Sequence, residues 1–280
     1  LHYHLKKLDS ICQGVKSAVK GKSKRVVTSP VSFEGAPSDD ALAAKLPGTR
    51  GRRRAHLEQR LQTLYQRATL VEQELVKLDE NRFYRVCIFG SARIKPGGPN
   101  YQKAFDLSRI LAGEGIDILT GGGPGLMEAA NRGALQGRAD KKTKSRSYGL
   151  SIELPWEPDA NSHLDVKRHH HRFSSRLDDF MRLSHAVVCT PGGIGTLLEF
   201  FFVWQLMQVH HITARPIILL DVEFWSGMMQ WAKEFPLTRG LMSEKDFNCI
   251  SIVDTPEEAF QIIKEDLELF RSKHQQASQR

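Results

Sequence analysis

The chain has no uninterrupted apolar run near the roughly 20 residues that a membrane-spanning helix needs. Its most apolar stretch, CTPGGIGTLLEFFFVWQLMQV (189–209), is broken by Glu199, Gln205 and Gln208, and a soluble protein is expected. Cysteine is scarce and scattered. Cys12, Cys87, Cys189 and Cys249 form no close-spaced pair, which argues against a disulfide scaffold or a zinc ribbon. Cys87 and Cys189 lie inside apolar runs and read as small core residues, so a reducing, cytoplasmic setting is expected. Zinc-finger spacing and an aromatic RNA-binding motif are also missing. The chain starts at Leu1, not Met, and no targeting signal can be read at this end.

Charge is unevenly placed. The net charge is +8. Residues 1–60 hold 13 Lys and Arg against 5 Asp and Glu, while the remaining residues hold 27 of each. The excess therefore belongs to an N-terminal arm. Such an arm can attract nucleic acid, but it reads more simply as a solvated, flexible segment, and nucleic acid is not expected as a partner. Residues 1–20 carry some helical periodicity, and residues 20–54 have the Lys, Arg, Ser, Gly and Pro content of a linker. Leu57, Leu61, Leu64, Tyr65, Leu70, Val71 and Leu75 then recur at helical spacing. They predict an amphipathic helix over 55–80, packed on the main domain or on a partner chain.

From residue 81 to 280 the pattern alternates strand and helix. Short apolar strands are expected at 85–89, 116–120, 147–152, 186–190, 216–220 and 248–253. Helices are expected at 101–114, 125–136, 173–183, 195–209, around 225–233 and at 256–270. Alternation of this kind implies a parallel sheet with helices on both faces. In such a sheet every strand-to-helix turn falls on one edge, where ligands bind.

Three of those turns are unusual: GSAR (90–93), GGGPG (121–125) and PGGIG (191–195). Glycine lets a ligand approach the main chain closely, and a helix N-terminus supplies free N–H groups and partial positive charge. Three such turns on one edge point to a phosphorylated small molecule. A G-x-G-x-x-G fingerprint would need glycine at Leu126 or Leu198, and no Walker lysine is present, so a dinucleotide or ATP held in the usual way is not expected.

Glu199 has two readings. Thr196 and Glu199 have the T-x-x-E spacing of a capping box, so the carboxylate can serve as a helix cap. It can also face the ligand beside the glycine turn, with Arg176, on the preceding helix, as its cation. His169, His170 and His171 invite a metal reading, but consecutive side chains point in different directions, and a surface or substrate-loop role fits better. His210 and His211 read as the end of the buried helix. Phe200, Phe201, Phe202 and Trp204 read as core or interface packing, Met127 and residues 153–158 as candidate base contacts, and Arg93 as a candidate phosphate ligand.

PGGIGTLLE (191–199) resembles the PGGxGTxxE motif of the LOG (Lonely guy) family of nucleoside 5′-monophosphate phosphoribohydrolases, which includes the cytokinin-activating enzymes. FGSAR (89–93), TGGGPGLMEAANRGA (120–134), GLSIELP (149–155) and Arg176, fifteen residues before Pro191, occur in the family's order. The resemblance covers residues 83–255. It implies a Rossmann-like three-layer α/β/α fold with a parallel sheet of about six or seven strands, usually in a homodimer. It also implies hydrolysis of the N-glycosidic bond of an AMP-like nucleotide to free base and ribose 5-phosphate, with no metal and no organic cofactor. Carried over by position, Arg176 and Glu199 are the catalytic pair. Gly192, Gly193, Gly195 and Thr196 hold the phosphate, helped by Ser91, Gly122 and Gly123.

Two residues depart from the family pattern: Leu177 stands where a lysine commonly follows the arginine, and Leu198 where a second acid is common. The alternative on the same fold is a non-catalytic nucleotide-binding or carrier protein. The "lysine decarboxylase" label often given to this family implies pyridoxal phosphate on a lysine, and the motifs supply no lysine for it.

Overall fold

The computed structural model describes residues 50–78, 83–152 and 160–278. The expectations for residues 1–49 and for the candidate base-contacting segment 153–158 lie outside the described residues. The chain divides into two units, Leu1–Leu64 and Tyr65–Arg280. In the first, the described residues are helical from Arg50 on. They open the helix α1 (Arg50–Leu78), which begins several residues before the expected start.

The second unit contains the alternating series. In chain order it runs β1 (Arg85–Phe89), α2 (Pro99–Gly113), β2 (Asp117–Thr120), α3 (Leu126–Lys141), β3 (Ser147–Ile152), β4 (Val166–His170) and α4 (Phe173–Leu183). It continues through β5 (Ala186–Cys189), α5 (Ile194–Gln208), β6 (Ile217–Leu220), α6 (Val222–Ala232), β7 (Ile250–Val253) and α7 (Pro256–Ser278). The seven strands form one sheet in the order β4-β3-β2-β1-β5-β6-β7, and every pairing is parallel. The order reverses between β1 and β5, which opens a crevice at the carboxyl ends of those two strands.

The three layers follow from period-two alternation along the strands. In β1, Cys87 and Phe89 face one layer with Phe180 of α4, Phe200 and Trp204 of α5, and Trp225 of α6. Val86 and Ile88 face the other, with Leu107 and Leu111 of α2, Ala130 and Ala134 of α3, and Ile263 and Leu267 of α7. Helix α3 approaches α2 closely because Gly133 and Gly137 present no side chain. A Cβ on either would lie 2.1 or 2.0 Å from the carbonyl oxygens of Phe105 and Arg109.

Strand β4 was not expected. Its sequence, VKRHH, is polar, and as the edge strand it is only half-buried. The alternation nonetheless sorts the histidines. His169 and His171 have their rings 5.2 Å apart. His170 pairs instead with Asp179 of α4, at 3.3 Å. Among the described residues, no helix is long and apolar enough to cross a membrane.

Candidate functional site

The three glycine turns follow β2, β1 and β5, which are neighbours in the sheet. They are bonded to one another through the main chain of Ser91. Its N–H donates to Pro191 O at 3.2 Å, and its carbonyl accepts from Leu126 N at 3.0 Å. Glycine is required at two of these contacts. A Cβ on Gly90 would stand 2.1 Å from Thr190 Oγ1, and one on Gly125, whose φ is +70°, would stand 2.4 Å from Ser91 O. The Ser91 hydroxyl accepts from Arg93 N at 3.1 Å and closes its own turn.

A buried polar network holds the second turn in place. Gly122 N donates to Thr120 Oγ1, and Thr120 Oγ1 donates to Asn131 Oδ1, both at 2.9 Å. Asn161 Nδ2 lies 3.0 Å from the carbonyl oxygens of Gly122 and Gly123 and from Asn131 Oδ1. Asn131 Nδ2 donates to Ser147 Oγ at 2.8 Å. Neither asparagine was singled out from sequence. The available signal was Asn131 itself, an amide on the apolar face of a helix.

The turns frame a cavity of about 450 Å³. Of the sequence-derived site residues, Ser91, Gly122, Gly123, Gly193, Gly195, Thr196, Arg176 and Glu199 all line it, as do Arg93 and Met127. Gly192 does not. A Cβ there would lie 2.1 Å from Thr196 Oγ1. Phe173, Ser151, Ile152, Ala160 and Ile194 also line the cavity and were missed. Leu177 and Leu198 are absent from the lining. Leu177 is buried, and Leu198 is 47% exposed over a separate apolar depression.

The capping reading of Glu199 does not hold. The N-cap of α5 is Gly193, and no side chain caps the helix. Thr196 is the third helical residue and Glu199 the sixth, beyond reach of the orphan N–H groups of the first turn. Those N–H groups, carried by Ile194, Gly195 and Thr196, open on the cavity wall, an arrangement suited to an anion.

Glu199 is instead a buried acid, 8% exposed. Arg176 Nη2 donates to its Oε1 at 3.0 Å. Burial raises the Glu199 carboxyl to about 7, and the attraction of Arg176 offsets only part of that rise. The Arg176 guanidinium lies over the rings of Phe173 and Phe180, at 5.6 and 5.5 Å. Its buried Nε has no hydrogen-bond partner among the described residues. A carboxyl group that titrates near neutrality can hold or give up a proton at the operating pH. Beside it are a fixed cation and a helix N-terminus. Among the described residues, no group of three or more His, Cys, Asp and Glu could hold a metal ion.

The chain is similar to several known proteins. A family model described as "Possible lysine decarboxylase" matches residues 127–263. The chain is 31% identical over 102 residues to the pyrimidine/purine nucleotide 5′-monophosphate nucleosidase of Escherichia coli K12, a match covering 33% of this chain but only 21% of that enzyme. It is 25% identical over 198 residues to a probable cytokinin riboside 5′-monophosphate phosphoribohydrolase of Oryza sativa, LOGL3, covering 70% of this chain and 90% of the relative. Among solved structures, the molybdenum cofactor binding protein of Rippkaea orientalis superposes with a TM-score of 0.50 at 21% identity, over 66% of this chain and 98% of that one. That similarity supports the Rossmann-like fold. The family model on residues 127–263 and the rice relative, aligned over most of the chain, make this protein similar to the LOG phosphoribohydrolases.

Proposed function

We propose that the protein hydrolyses the N-glycosidic bond of a nucleoside 5′-monophosphate, releasing free base and ribose 5-phosphate. The observation that carries this reading is the buried Arg176–Glu199 pair, placed in the same cavity as the uncapped N-terminus of α5. Residues 81–280 are the catalytic domain on this reading. The phosphate sits on the N–H groups of Gly193, Gly195 and Thr196, within reach of Ser91, Gly122 and Gly123. Water adds to the anomeric carbon as the bond to the base breaks. The bonding electrons leave with the base, which takes up a proton. Positive charge grows on the ribose in that transition state, and the Glu199 carboxylate stabilises it. Arg176 keeps that carboxylate ionised over more of the pH range than burial alone would allow.

The chemistry of the E. coli and rice relatives, as their names give it, supports the reading. We take the protein to act in the cytoplasm as a homodimer. The dimer has support in the apolar depression of about 490 Å³ along α5 and α6, where Phe201, Trp231 and Leu241 are 43%, 53% and 71% exposed. The test is incubation with a panel of nucleoside monophosphates, following free base and ribose 5-phosphate beside a Glu199→Ala control. Base release that the control abolishes supports the proposal. Nucleotide binding without turnover would establish a non-catalytic binding protein instead.

A further inference from the structure

Helix α1 carries an apolar seam. Leu57, Leu61, Leu64, Ala68 and Val71 follow one another at intervals of four, three, four and three residues, and Leu75 and Leu78 continue the spacing in sequence. This is the a/d pattern of a coiled coil, sustained over three heptads. Leu57, Leu61, Leu64 and Val71 are 53%, 49%, 60% and 56% exposed. A helix of this kind draws its stability from packing its apolar stripe, not from propensity, and a row of half-exposed leucines marks a contact surface.

The flanking charges select the occupant. Arg53, Arg60 and Arg67 stand just before the a positions, and Glu58 and Glu72 just after the d positions. In a parallel, in-register pair, Arg53 faces the partner's Glu58 and Arg67 faces the partner's Glu72. In an antiparallel pair, arginine would meet arginine and glutamate would meet glutamate. We propose that α1 pairs with the α1 of a second copy of this chain as a parallel two-stranded coiled coil. This self-association element lies outside the residues that carry the family resemblance, and it stands whether or not the catalytic reading does.

The test is cysteine cross-linking in the full chain, with Cys12→Ser and Cys249→Ser leaving only the buried Cys87 and Cys189. Leu57→Cys, a seam position away from the helix centre, is expected to form a covalent dimer under mild oxidation at least tenfold faster than Gln59→Cys on the opposite face. Arg67→Glu in the Leu57→Cys chain is expected to slow the cross-link, and Glu72→Arg to restore it. Equal cross-linking at 57 and 59 would overturn the pairing. Cross-linking of Leu57→Cys only to Ala68→Cys or Leu75→Cys chains in a mixture, or a rate indifferent to both charge changes, would overturn the parallel register.

Discussion

Arg176 Nη2 stands 3.0 Å from Glu199 Oε1, yet the carboxyl group next to this cation titrates higher than a free glutamate, not lower. The pair is buried enough that lost hydration outweighs the attraction. Charge at Glu199 is therefore conditional on pH in the range where cells operate, and three measurable consequences follow from that one contact.

The first concerns catalysis. In the proposed reaction the carboxylate is the form that stabilises the ribose, so kcat/KM is expected to rise with pH through about 7. Glu199→Gln keeps the shape and removes the charge. Its base release should fall by roughly 10²–10⁴-fold, while titration calorimetry shows nucleotide affinity retained.

The second concerns stability. Glu199 holds its proton more tightly in the folded chain, near 7, than in the unfolded one, near 4.5. Between those values the folded state binds more protons, so stability falls as pH rises from about 4.5 to about 7. The full cost, about 3 kcal/mol, is reached above that window and is absent below it. Glu199→Gln lacks the titration. Urea unfolding at pH 5 and pH 8 should show the variant gaining on the parent at the higher pH by an amount of that order.

The third concerns the arginine. In Arg176→Gln the attraction that partly offsets burial is gone, and the Glu199 carboxyl moves further up. The rise in kcat/KM should shift to higher pH than in the parent, and the pH-rate profile of the variant measures it directly.

Two glycines separate backbone need from ligand access. A methyl at Gly125 meets Ser91 O at a φ of +70°, so Gly125→Ala should cost about 1–3 kcal/mol in denaturant unfolding. A methyl at Gly195 meets nothing within 4 Å and sits in the first turn of α5. Gly195→Ala should leave stability unchanged or slightly raised and, if the phosphate sits where proposed, weaken nucleotide binding about tenfold or more, because the methyl would occupy the anion's approach.

The sheet was legible where strands are buried on both faces. RVCIF, with all five residues buried, announces itself by composition. β4 did not, because an edge strand keeps polar residues and VKRHH has no apolar run. The glycine turns were legible as a set, since each marks a backbone constraint. Gly192 lies off the cavity wall, packed against Thr196, a placement that depends on which side of the turn faces the cavity. The role of Glu199 as a cap failed by a matter of register. Helix α5 starts at Ile194, and that start was set by backbone geometry at Gly193 instead of by a side chain. Asn131 and Asn161 bond across residues far apart in sequence, which no local pattern encodes.

The bonds joining the three turns run from main chain to main chain, through the N–H and C=O of Ser91. Side chains around the cavity can therefore change without dismantling its frame. A lineage could exchange Met127, Ile152 or Phe173, which line the cavity, and with them the ligand it fits, while the frame of turns and the fold stayed intact. Diversification of substrate in such a protein is cheap in folding terms, because the part of the site that must not move is written in backbone.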